Sequence, residues 1–137
     1  MISPGDDIAD IIINNLKTNK IRIHNGDILT IAQKIISKSE NRYRKLSNIK
    51  PTKKAKTVGD KISKDPRLVQ AVLDESKKIV RYKKNVLIVE HKLGFIHANA
   101  GIDRSNIDQK NEQILLLPKD PDKSAKKIGQ KLEKYFQ

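Results

Sequence analysis

Residues 86–98 read Val-Leu-Ile-Val-Glu-His-Lys-Leu-Gly-Phe-Ile-His-Ala, and the fold class follows from how this stretch relates to its neighbours. Val86-Leu87-Ile88-Val89 is a short apolar run of the kind that forms a buried strand, and Gly94 to Ala98 follows closely enough to be its hairpin partner. A third apolar run, Ile114-Leu115-Leu116-Leu117, is ended by Pro118. Helical signals stand on both sides. Asp65-Pro66 and Asp120-Pro121 each put a capping acid before a proline at the first helical position. After Pro66, the residues Leu68, Val69, Val72, Leu73 and Ile79 recur at helical spacing; after Pro121, Ala125, Ile128, Leu132 and Phe136 do the same.

Further upstream, Pro4-Gly5-Asp6-Asp7 precedes Ile8, Ala9, Ile11, Ile12, Ile13 and Leu16, which predicts an acid-capped helix with a broad apolar face. Asn25-Gly26-Asp27 predicts a turn, and Ile28 to Ala32 has strand character and runs into Gln33-Lys34-Ile35-Ile36-Ser37-Lys38. Tyr43 to Ile49 suits a short strand before Pro51, and the Lys-rich segment Thr52 to Ile62 a short exposed helix. Helices and strands mix without a regular βαβ alternation. The expected class is therefore α+β, a mixed sheet with flanking helices.

A length of 137 residues with 36% hydrophobic residues suits one domain with one core. The net charge of +13 predicts affinity for anions, nucleic acid among them. Two features weigh against nucleic acid. The charge is mostly lysine, whereas groove readout favours arginine, and aromatic residues make up only 4%, a thin supply for base stacking. The lysines at 50–64 and 119–134 are interspersed with Asp60, Asp65, Asp120, Asp122 and Glu133, a pattern that fits solvated helix faces better than a dedicated binding stripe. The absence of cysteine excludes disulfides, thiolate zinc sites and a cysteine nucleophile. No apolar run is long enough to span a bilayer, and the start lacks a basic segment followed by an apolar one. A cytoplasmic protein without a membrane partner is expected.

Asn99-Ala100-Gly101-Ile102-Asp103-Arg104-Ser105-Asn106 is the segment richest in chemistry. Small residues let a backbone approach a ligand, and Asp with Asn could hold Mg2+ and a phosphate or ribose. An ordinary polar loop with glycine at a positive φ accounts for the same spacing. Lys34 and Lys38, expected at a strand end, could reach phosphates as point charges or simply lie along the surface. No Gly-x-x-x-x-Gly-Lys-Ser/Thr phosphate loop occurs. His24, His91 and His97 are isolated, and only His97 falls near the Asn99 segment.

Several segments together resemble the coenzyme F420-0:L-glutamate ligases. They are Pro4 to Ile8, Gly26 to Leu29, Gln33 to Glu40, Lys64 to Val69 with Glu75-Ser76, Gly94 to Asn106, Leu115 to Pro118 and Asp120 to Ala125, in the family's order and spacing. The resemblance implies a ligase in which GTP phosphorylates a carboxylate of the coenzyme precursor. The amine of L-glutamate then attacks the acyl phosphate to form an amide. It implies Mg2+ or Mn2+, with potassium as a further ion, and GTP, L-glutamate and coenzyme F420-0 as partners. Carried over by motif, Asp103 would be a metal ligand, and Gln33, Lys34, Lys38 and Asn106 would line the GTP site. Arg104 and Ser105 fall in the same motif without a role of their own. Ser39 and Asn41 stand where the family commonly has small residues.

Set against the family's pattern, residues 1–137 are expected to be its N-terminal portion, without the C-terminal loop that supplies further metal ligands. Activity would then need a complementary C-terminal half, and the resemblance implies a homodimer. Anionic ligands give the charge of +13 a second explanation. The alternative is a basic nucleic-acid-binding or partner-interaction module on the same scaffold.

Overall fold

A computed structural model describes residues 1–104 and 112–136. The elements in chain order are α1 (Ile8–Thr18), α2 (Gln33–Ser39), β1 (Tyr43–Lys45), α3 (Lys53–Ile62), α4 (Pro66–Asp74), β2 (Ser76–Lys83), β3 (Val86–His91), β4 (Ile96–Ala98), β5 (Gln113–Leu115) and α5 (Pro121–Phe136). Short 3-10 turns follow β1 at Leu46–Asn48 and β4 at Asn99–Gly101. The class is α+β, as expected, and the strands pair antiparallel in two small sheets, β1-β5 and β2-β3-β4. The chain divides into two units, Met1–Arg42 with Pro118–Gln137, and Tyr43–Leu117.

In the first unit, Asp7 caps α1 by accepting from the Asp10 amide at 3.2 Å. Ile8, Ala9 and Ile13 bury the apolar face of the helix. Lys131 of α5 bridges the start of α1, its Nζ standing 2.9 Å from Asp7 Oδ2 and 2.6 Å from Asp10 Oδ2. Lys17, at the other end of α1, lies over the Tyr135 ring at 4.5 Å. Glu40 secures the start of α5, accepting from the Lys119 amide at 2.9 Å and the Ser124 hydroxyl at 2.6 Å. Asp120 adds its own cap by accepting from the Lys123 amide at 2.9 Å.

Two expectations fail in this unit. Ile28 to Ala32 is not a strand: it finds no strand partner among the described residues, and Ile28 is 89% exposed. Apolar β-branched composition cannot make a strand without a neighbouring one to take its hydrogen bonds. Gln33 to Lys38 therefore does not sit at a strand end but forms α2 itself, with Ile36 and Ser37 turned inward.

In the second unit, α3 and α4 pack against the three-stranded sheet around Ala55, Val58, Ile62, Val69, Val72, Leu87, Val89 and Ala100. A neighbouring cluster joins Leu46, Ile49, Leu68, Ala71, Ile114 and Leu116, and Ile102 touches both clusters. The α3 segment, expected to be exposed, thus buries Ala55, Val58, Gly59 and Ile62. On β3, burial alternates, with Leu87, Val89 and His91 inward. Ile79 does not extend α4, as its spacing suggests. The helix ends at Asp74, and Ile79 lies on β2, a strand whose side chains are otherwise mostly exposed.

Gly59 shows how tightly α3 meets the start of α4. A Cβ there would lie 2.8 Å from the Lys64 carbonyl oxygen and 3.3 Å from Pro66 Cα. Both are backbone atoms that cannot rotate away. Alanine is the better helix former by about 1 kcal/mol, but overpacking of this kind costs about 1–3 kcal/mol. Gly59→Ala is expected to lower the melting temperature by several degrees despite its helix propensity; thermal denaturation that shows an unchanged or raised midpoint would refute the contact's importance.

Candidate functional site

Three connections of the second unit converge on a cavity of about 290 Å³, lined by Ser63, Lys64, Asp65, Leu68, Asn85, Asn99, Ile102 and Arg104. The first connection is the reversal between α3 and α4. Ser63 takes left-handed angles, φ 57° and ψ 44°, and the Lys64 amide donates back to the Gly59 carbonyl at 3.0 Å, closing α3 in the manner of a Schellman motif. The second is the tip of the β2-β3 hairpin, where Asn85 has φ 63° and its amide donates to the Ile62 carbonyl at 2.8 Å. The third is the 3-10 turn after β4, where Asn99 and Ala100 have φ of 51° and 53°.

Lys64 Nζ donates to Asn99 Oδ1 at 2.6 Å, tying the first connection to the third. Partial burial pulls the Lys64 pKa below its ordinary value, and the positive charge of Arg104 pulls it the same way. Asp65 caps α4 by accepting from the Arg67 amide at 2.8 Å. Its carboxylate also receives the Arg67 guanidinium, Nη2 donating to Oδ2 at 2.7 Å and Nε to Oδ1 at 3.1 Å. That side-chain bond is the main reason the Asp65 carboxyl is held below the usual range; the cap and the charges of Arg67 and Arg104 lower it further against burial. Arg67 reaches on to Glu112, donating through Nη1 to Oε2 at 2.8 Å. Its two carboxylate partners raise the guanidinium pKa.

Asp103, the expected metal ligand, is half-buried just after this turn. Its backbone is locked by a two-way bridge with Leu115: the Asp103 amide donates at 2.9 Å and its carbonyl accepts at 3.0 Å. Gly101, with φ 68°, turns the chain just before Asp103 through left-handed angles that glycine adopts freely and lies against the Leu117 side chain. Among the described residues, no three His, Asp or Glu side chains are grouped so as to hold a metal. Asn106 lies outside the described residues. Lys34 and Lys38 are half-buried and one helical turn apart on α2, and Gln33, at the start of that helix, donates to Ser37 Oγ. These three belong to the first unit and Asp103 to the second, so the expectation of a shared site joins residues of different units. Of the lysines considered for a nucleic-acid patch, Lys64 is engaged by Asn99 and Lys131 by Asp7 and Asp10.

The sequence pattern described as F420-0:Gamma-glutamyl ligase matches residues 1–137. The chain belongs to that family. Among curated relatives, the coenzyme F420:L-glutamate ligase of Methanothermobacter thermautotrophicus is 41% identical over 133 residues, 97% of this chain and 52% of that protein. That of Methanocaldococcus jannaschii is 46% identical over 112 residues, 82% of this chain and 44% of that protein. The Archaeoglobus fulgidus enzyme is 37% identical over 132 residues, 96% and 50% of the two chains. The chain spans about half the length of the curated relatives it matches. No helix among the described residues is long and apolar enough to cross a membrane.

Within this F420-0:gamma-glutamyl ligase family member, sequence reasoning gave the cavity residues Asn85 and Asn99 no role of their own and considered Lys64 only as part of a lysine patch. Lys64 and Asn99 fall in segments that carry the family resemblance, but nothing local in either announces that they meet across 35 positions of chain. Asn85 had a weaker signal, a polar residue between two runs of β-forming side chains.

The Asp65–Arg67 pair makes a pH prediction. A carboxylate with a lowered folded pKa adds stability that is fully present above its unfolded value, near 3.8, and is lost as pH falls through the lowered folded value. In Arg67→Gln the carboxyl titration of Asp65, followed by NMR, is expected to move upward, because the side-chain bond that most lowers it is lost. An unmoved midpoint would remove Arg67 as the main cause.

Proposed function

We propose that this chain carries part of the catalytic machinery of a GTP-dependent ligase that joins L-glutamate to coenzyme F420-0 through an amide bond. The observation that carries this reading is the match of the whole chain to the ligase family, together with the activity for which its relatives are named. The rigid seating of Asp103 between Gly101 and the Leu115 bridge supports it, since a residue that positions charge in phosphoryl transfer needs a fixed backbone.

In the proposed reaction a carboxylate oxygen of the coenzyme precursor attacks the γ-phosphorus of GTP, the bond to the β-phosphate oxygen breaks, and GDP leaves. The glutamate amine then attacks the acyl carbon, loses a proton, and expels inorganic phosphate. Asp103 is a hard oxygen donor and suits Mg2+ or Mn2+, further ligands coming from beyond the described residues. When bound, the metal would offset negative charge on the triphosphate. Lys34 and Lys38, which project from α2 one turn apart, would attract the triphosphate as point charges, with Gln33 beside them at the first turn. Asn106 would contact the nucleotide. Because the chain spans about half the length of its relatives, turnover is assigned to a protein that also holds the equivalent of their remaining half, and a homodimer is proposed for that assembly.

The test is glutamate-dependent GTP hydrolysis, in the presence of coenzyme F420-0, by this chain together with a segment equivalent to the remaining half of the relatives. Asp103→Asn is expected to lower kcat at least about a hundredfold, in the range found when a preorganised electrostatic contact is lost. Lys38→Ala is expected to raise KM for GTP more than it lowers kcat. Activity indifferent to Asp103→Asn would reject the metal assignment, and GTP hydrolysis that glutamate does not stimulate would reject the ligase reading.

A further inference from the structure

The cavity between the Ser63, Asn85 and Asn99 connections is not used by the reaction above, and it has the makings of a binding site. Three of its lining residues, Ser63, Asn85 and Asn99, hold left-handed backbone angles without being glycine. Asparagine takes these angles more readily than most residues, so the strain falls mainly on Ser63, and left-handed residues of this kind gather at ligand clamps.

The charges are also unusual. Lys64 and Arg104 both line the cavity and repel each other, while Asp65, the carboxylate of the lining among the described residues, is hydrogen-bonded by Arg67 rather than by Lys64. Among the described residues that line the cavity, two cations, Lys64 and Arg104, stand with one carboxylate, Asp65. Leu68 and Ile102 supply an apolar floor, which strengthens electrostatic attraction within the cavity. Asn99 accepts one N–H of the Lys64 ammonium through its side-chain oxygen, an arrangement that orients the ammonium.

We propose that this cavity binds a small oxyanion, a carboxylate or a phosphate group, between the Lys64 ammonium and the Arg104 guanidinium, with the side-chain amides of Asn85 and Asn99 at its rim. Side chains two apart on an extended segment share a face. Ile102 and Arg104 line the cavity and Asp103, between them, does not, so this anion site lies on the other side of that segment from the carboxylate assigned to metal. The inference does not rest on the ligase reading, since its readout is binding and not turnover.

The experiment is an NMR titration of the 137-residue chain with inorganic phosphate, L-glutamate and glutarate in separate arms. Saturable shifts of the Asn85 and Asn99 side-chain amides are expected, with the Lys64 titration moving upward once the anion is bound. Saturation by phosphate alone assigns the site to a phosphoryl group; saturation by glutamate or glutarate assigns it to a carboxylate. Lys64→Gln and Arg104→Gln are each expected to weaken binding at least tenfold, whereas Lys56→Gln on the exposed face of α3 leaves it unchanged. Arg104 is exposed, so its variant tests the site without disturbing the core. Lys64→Met is expected to keep or raise the melting temperature, because it removes a cation from a partly buried position beside another. No saturation in any arm, equal weakening by Lys56→Gln, or a marked loss of stability in Lys64→Met would overturn the proposal and leave Lys64 as a structural tie to Asn99.

Discussion

The Ile62 carbonyl at the end of α3 lacks a partner within its own helix and is taken by the Asn85 amide at 2.8 Å. This bond joins the end of a helix to the tip of a hairpin that begins some way downstream, and the second unit is arranged around it. Ser63 must turn left-handed so that α4 can start within three residues, and Gly59 must lack a side chain so that the Lys64 carbonyl can approach α3. With the reversal and the hairpin tip held together, Lys64 is carried to Asn99, and the segment that leads to Asp103 is placed on the same framework. Helix packing, hairpin register and cavity shape are therefore aspects of one local closure.

Charge is distributed in the same economical way. Within a net charge of +13, several lysines and arginines are engaged in ion pairs. Lys131 ties the two terminal helices of the first unit, Arg67 joins the start of α4 to Glu112, and Arg44 meets Asp74 at 2.8 Å. Exposed pairs of this type contribute little stability each, typically well under about 1 kcal/mol. Their use here is to orient helix ends. At the cavity, the cations of the described lining are Lys64 and Arg104.

The parts of the fold that were legible in the sequence are those with local causes. Asp7, Asp65 and Asp120 mark three helix starts because a capping carboxylate acts on amides two or three residues away. The β3-β4 hairpin was legible from its apolar runs and the Gly94 turn. β2 was not, because Ser-Lys-Lys-Ile-Val-Arg-Tyr-Lys lacks strict alternation and owes its conformation to pairing with β3. Ile28 to Ala32 erred the other way, with strand-forming residues and no strand to pair with. At the site, the resemblance pointed to Asp103 and to the lysines of α2. The cavity itself depends on backbone angles at Ser63, Asn85 and Asn99 that tertiary contacts impose, and no spacing rule reports them.

The lysine-rich character that hid β2 has a consequence for the protein outside its folded state of isolation. β2 is an edge of the three-stranded sheet, and an edge strand is a template on which another chain can add. Its pairing with β3 is interrupted at two places, between Ser76 and Lys78 and between Ile79 and Arg81, and its exposed positions include Lys77, Lys78, Arg81 and Lys83. Irregular register spoils the straight ladder a docking strand would need, and the like charges of a second copy would face their own images. The residues that make this segment a poor strand by pattern thus make it a poor seed for edge-to-edge aggregation.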